Sequence, residues 1–145
     1  MSHAQKQHMI ERYGACEMER LEGEHGEPGE HDRIDLALDD AAAEIDAHLC
    51  AAFDMKHAKG PFAMLVSIAC DLARMRLYDD AAPDTVKDAA RRARVLLDRL
   101  VNGDAALLDG DANPVPRRRG CPVGPPGPEA QTSKPIFERD TLRGC

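Results

Sequence analysis

The chain has 145 residues, the size of one domain, with 26 acidic against 19 basic side chains and a net charge of −7. Ala, Leu, Asp, Glu and Arg dominate while aromatic residues make up 3%, a profile that favours helices over strands. The acidic total argues against non-specific nucleic-acid binding, which depends on basic surface, and Met-Ser-His-Ala-Gln-Lys-Gln-His at the start holds no apolar run, so no secretory signal is expected.

In chain order, residues 3–13 read as a short helix with Ser2 as N-cap and Met9, Ile10 and Tyr13 on one face, broken by Gly14. Residues 15–21 form a second short turn that offers Met18 and Leu21 for burial. The Gly- and charge-rich stretch 22–31 has no periodicity and reads as a loop. Asp32 then caps a helix running to about Phe53, with a core stripe of Ile34, Leu38, Ala41, Ile45, Leu49 and Ala52 at spacings of three and four.

After a loop over residues 54–60, residues 61–79 read as the central helix, with Pro61 in its first turn. Apolar side chains cover most of its circumference, and only Ser67, Asp71, Arg74 and Tyr78 form a polar strip. A helix of this kind must be surrounded by other helices. Asp71 interrupts it after about ten residues, too few for a membrane span of roughly 20. Asp71 and Arg74, three apart, are expected to pair with each other, setting registry or contacting a neighbouring subunit. Ala81-Ala82-Pro83 makes a turn, and Asp84 or Thr85 caps a last long helix, 85–101, with the stripe Val86, Ala90, Ala93, Leu97 and Leu100. Asn102-Gly103 is its stop signal.

The flank of the 33–53 helix is acidic (Asp35, Asp39, Asp46) and that of the 85–101 helix basic (Lys87, Arg91, Arg94). These flanks are either solvated or paired, within one subunit or between neighbours. Leu36 and Val95 fall opposite their own core stripes, where a monomer places polar residues. They are either scattered exposed apolar residues, which are ordinary, or a subunit contact.

From Asp109 the character changes. Residues 110–135 hold seven of the ten prolines and read as an extended arm, so the chain divides into a helical domain, 1–109, and an arm, 110–145. Arg117, Arg118 and Arg119 in that arm suit an acidic partner surface or solubility more than a nucleic-acid patch. The ending, with Ile136, Phe137, Arg139, Asp140, Leu142 and Arg143, reads as a docking end.

No catalytic constellation is present: no phosphate loop, no Gly-x-Ser-x-Gly elbow, no His-Glu-x-x-His helix, and no cofactor is expected. His48 beside a core stripe reads as packed or on the helix surface rather than as a base. His25 and His31, among Glu24, Glu27 and Glu30, could chelate a metal, but a solvated loop tip is the simpler account. The five cysteines (16, 50, 70, 121, 145) lack paired spacing and are expected to be reduced thiols in an intracellular protein.

Three stretches carry a resemblance: Asp-Ala-Ala-Ala-Glu-Ile-Asp-Ala-His-Leu (40–49), Ile-Ala-Cys-Asp-Leu-Ala-Arg-Met-Arg-Leu-Tyr-Asp-Asp (68–80) and Phe-Glu-Arg-Asp-Thr-Leu-Arg-Gly (137–144). They are similar to the Mu-like phage neck protein family, over nearly the whole chain. The resemblance implies a non-enzymatic head–tail connector, an adaptor or head-completion protein of the virion. It would form a ring of twelve copies beneath the portal protein, contact a tail-side neck or tail terminator protein, let DNA only pass through its channel, and touch no membrane. The competing expectation is a small helical DNA-binding regulator using helix 85–101. The acidic total and the lack of a compact helix-turn-helix stand against it.

Overall fold

The computed structural model describes residues 3–23 and 32–118. Five α-helices follow one another: α1 (Lys6–Tyr13), α2 (Ala15–Gly23), α3 (Arg33–Ala52), α4 (Ala63–Tyr78) and α5 (Asp84–Asn102). Among the described residues there are no strands, only isolated bridges, so the fold is all-α, as composition and periodicity predict.

The apolar pattern explains the packing. Leu65, Ile68, Ala69, Cys70, Leu72, Ala73 and Leu77 of α4 are all buried, which takes a neighbour on every side. α3 and α5 supply two of them, and every residue of the two predicted stripes is buried. The α1–α2 hairpin covers a third side, burying Met9, Met18 and Leu21. Gly14 makes its bend at φ 92, a conformation that favours glycine.

Helix ends follow local chemistry, with three corrections: α1, expected from residue 3 with Ser2 as its cap, begins at Lys6 with Gln5 at the N-cap, and the starts of α4 and α5 also differ. Asp32 caps α3, its side chain accepting from the Ile34 N–H at 3.0 Å. Gly103 ends α5 in the left-handed conformation, its N–H turned back to the carbonyls of the last turn. Pro61, expected inside the first turn of α4, lies before it, and Phe62 is the N-cap. Neither Asp84 nor Thr85 caps α5. Both are helical, Pro83 stands at the cap, and no side chain fills the capping role.

The largest departure concerns residues 110–118, expected in a free arm. They fold back over the open end of the bundle. Val115 is buried in the core with Leu107, to whose carbonyl its N–H donates at 2.8 Å. The Asp109 carboxylate makes the bend by accepting from the N–H groups of Asp111 (3.0 Å) and Asn113 (2.8 Å). The Asp54 N–H donates to the Pro116 carbonyl and the Arg118 N–H to that of Ala52.

Arg117 and Arg118, read as part of an exposed arm, cap helix C-termini in this strap. The Arg117 guanidinium donates to the carbonyls of Leu100 and Val101 at the end of α5 and lies 5.2 Å from the Phe53 ring centre. Arg118 Nε donates to the Phe53 carbonyl at 3.2 Å, just past α3. Orphan carbonyls at a helix C-terminus carry partial negative charge, so a guanidinium there is favourable. Arg119, Ile136, Phe137, Arg139, Asp140, Leu142 and Arg143 lie outside the described residues.

Replacing Arg117 with Ala is expected to lower unfolding free energy by about 1–3 kcal/mol, because two hydrogen bonds from a charged donor and a ring contact are lost. Arg117→Lys restores only part, since an ammonium cannot fork to two carbonyls over a ring. Denaturant titration of the three proteins checks both expectations.

Candidate functional site

The ion pairs within the subunit decide which charges remain for a partner. The polar strip of α4 lies under the α1–α2 hairpin. Arg12 donates to the Ser67 hydroxyl at 3.0 Å, and the Tyr13 hydroxyl donates to the Asp71 carboxylate at 2.6 Å. Arg74 forks onto Glu17 through Nε (2.7 Å) and Nη2 (3.0 Å), with the Tyr78 hydroxyl donating to the same carboxylate. The Arg74 guanidinium also sits 4.3 Å from the Tyr13 ring centre.

Burial, then the hydrogen bond to Asp71, pushes the Tyr13 phenol far above its ordinary value. Burial works against the Arg74 cation, but the Glu17 hydrogen bond overcomes it and the group stays charged. The pairing of Asp71 with Arg74 expected from their spacing gives way to two separate partners on the hairpin. Both residues are therefore engaged inside the subunit.

Glu44, which no sequence signal singled out, ties the long helices together. Its carboxylate accepts from Arg76 Nη2 of α4 at 2.6 Å and from Arg94 Nε of α5 at 2.8 Å. The Arg94 hydrogen bond, opposed by burial and helped by Arg76, holds the Glu44 carboxyl below its usual range. The basic flank thus meets the acidic helix within one chain, through Arg94. Asp46 accepts from His3 Nε2 at 2.7 Å. Lys6 bridges Glu22 (2.7 Å) and Asp32 (2.5 Å), joining both helices of the hairpin to the start of α3.

What remains forms two outward faces. Leu36 is 51% and Val95 46% exposed, both where the sequence placed them; Leu108 on the strap, 47% exposed, carried no warning. Leu36 lines a cleft of about 300 Å³ between α3 and the end of α4, with Arg33, Asp40, Arg76 and Asp79 around it. Arg33 donates to Asp79 at 2.8 Å, across the turn that Asp79 makes at φ 49. Asp35 and Asp39 are exposed beside this cleft and have no partner among the described residues.

On the other side, Val95 lies in a shallow depression of about 440 Å³ with Leu96, Arg91, Arg92 and Arg99. Arg91 pairs along its own helix with Asp88 at 3.0 Å. Lys87, Arg92 and Arg99 are exposed with no partner among the described residues.

Among the described residues, no group of three or more His, Cys, Asp or Glu side chains is arranged to hold a metal, and His25, His31 and their glutamates lie outside those residues. Burial raises the Cys70 thiol to about 11, which makes it a poor nucleophile. Among the described residues no helix is long and apolar enough to cross a membrane. A family profile described as Bacteriophage Mu, Gp36 matches residues 3–122. No curated protein matches the chain.

Because Glu44 is held below its ordinary value in the folded state, its contribution is complete above the unfolded carboxyl value of about 4 and is lost as pH falls through the folded one. Glu44→Gln is expected to cost about 1–3 kcal/mol near neutral pH and to flatten the acid side of the stability profile. Thermal melts between neutral and acidic pH check this; an unchanged acid limb would count against the three-helix tie.

Proposed function

We propose a role from the premise that this chain belongs to the bacteriophage Mu Gp36 family: it is a structural virion protein, the head–tail connector that forms a ring between portal and tail. Such a subunit is made in the cytoplasm of the host bacterium and ends in the neck of the particle. Its partners are further copies of itself, twelve in the ring that the family resemblance implies, the portal protein on one side and a neck or tail terminator protein on the other. It performs no catalysis and requires no cofactor.

The observation that carries the proposal is the pair of outward faces. After the internal ion pairs are made, one helix presents Leu36 among unpaired aspartates and another presents Val95 among unpaired arginines. Two different faces on one body make head-to-tail contacts, and these close into rings when the rotation between subunits allows. Residues 134–145, with Ile136, Phe137 and Leu142, supply the contact to a neighbouring ring. The acidic excess of the chain suits a channel wall past which DNA slides without sticking. A strongly basic lumen in the assembled ring would contradict that last point.

The arginines on the outside of α5 favour one other reading, a regulator that lays this helix on duplex DNA. Asp84, Asp88 and Asp98 interrupt that basic face, and Arg94 is taken up by Glu44. Salt-dependent binding of duplex DNA by the isolated protein would support the regulator.

Light scattering on the purified chain, alone and mixed with the portal of the same phage, tests the connector directly. A ring-sized species or a portal complex is expected. Deleting residues 134–145 is expected to leave helix content and melting temperature in place while the portal complex disappears. A monomer that ignores the portal and shifts with DNA would overturn the proposal.

A further inference from the structure

The faces of α3 and α5 are complementary to each other and ill-suited to themselves. Around Leu36, α3 exposes Asp35, Asp39 and Asp40, and the cleft beside it adds Asp79 with Arg33 and Arg76; around Val95, α5 exposes Lys87, Arg91, Arg92 and Arg99 with Asp84, Asp88 and Asp98 between them, so the first face is net acidic and the second net basic. A two-fold contact of α3 with α3 would set a net acidic surface against another, and one of α5 with α5 a net basic surface against another. Like charges placed opposite each other across an interface are repelled, so both symmetric pairings are disfavoured. The mixed pairing brings opposite charges together and covers both apolar side chains.

The shape of α3 agrees with this. Beyond Leu36, Ala43, Ala47 and Cys50 are exposed on the same side of the helix, at steps of seven, four and three residues. Small side chains at this spacing let a second helix approach closely. The long arginines of α5 can lay their aliphatic stems along such a surface and keep their charged heads over the aspartates at its edge.

We propose that neighbouring copies of this chain join through these two faces, α5 of one copy seated on the α3–α4 cleft of the next, with Val95 against Leu36. The occupant of the cleft is a second copy of this chain. The contact is heterologous: each copy uses its cleft once and its α5 once, so a finite assembly has no free face only when it closes into a ring. This pairing rests on the ring reading above and states how the ring is made. The apolar pair supplies the centre of the contact, and the charges select the partner and the register.

The experiment uses the full chain and two variants, Leu36→Asp and Val95→Asp, each altering an exposed position, with circular dichroism and melting to verify folding. Light scattering is expected to show wild-type protein as a species larger than a dimer and each variant alone as a monomer. An equimolar mixture of the two variants is expected to give a dimer and nothing larger, because one intact cleft and one intact α5 remain between them. Asp39→Arg with Asp40→Arg is expected to dissociate the assembly. Adding Arg92→Asp and Arg99→Asp to the same chain is expected to restore it. Variants that keep the wild-type mass, or a mixture that stays monomeric, would overturn the α5–cleft pairing and leave a ring built on other contacts. A wild-type chain that is monomeric alone and with portal would overturn the ring and this pairing with it.

Discussion

The structure depends on one constraint, the need to enclose α4. Seven of its sixteen residues are buried, so it is stable only where apolar surface meets it from several directions. A buried leucine there, such as Leu72, would be expected to cost about 2–5 kcal/mol on truncation to alanine, through the burial lost and the cavity left. α3 and α5 answer the apolar sides with complete stripes. The polar strip needs a different answer, since a charged or hydroxyl group covered by protein must find a partner. The α1–α2 hairpin brings Arg12, Tyr13, Glu17 and Arg20 to that strip, and Arg74 with its bidentate partner sets the register of the hairpin.

Enclosure also determines what is left over. Glu44 takes one arginine from each of two helices, Asp46 takes His3, and Arg117 and Arg118 take the carbonyls at the ends of α5 and α3. These interactions remove from the surface several charges that look available in the sequence. Of those that stay unmatched, Asp35 and Asp39 lie with Leu36 on α3, and Arg92 and Arg99 lie with Val95 on α5, where Asp84 and Asp98 interrupt them. Exposed ion pairs contribute little to stability, about 0–1 kcal/mol each. In the proposed ring, their value lies in choosing which surface meets which.

Much of the body was legible because its signals are periodic. Both core stripes, the Asp32 cap, the Gly14 break and the Gly103 stop follow from residue spacing and local backbone preference. The exposure of Leu36 and Val95 was readable for the same reason, as apolar residues out of phase with their helix. Residues 110–118 were not legible. One buried valine between prolines produces no period, and arginines beside prolines resemble a solvated arm until the carbonyls they cap are located. Partners far apart in the chain were equally hidden. Nothing in the spacing of Asp71 and Arg74 says that each turns to the hairpin rather than to the other. Glu44 sits beside its stripe, where a glutamate facing solvent would look the same.

The connector account makes one claim above the others, that copies of this chain encircle the DNA path at the junction of head and tail. A cryo-electron microscopy reconstruction of that junction in the mature particle tests it most directly. The account predicts a closed ring of these helical subunits beneath the portal, with α5 of each against α3 of the next. Density for the chain inside the head or at the far end of the tail, or its absence from the particle, would contradict it.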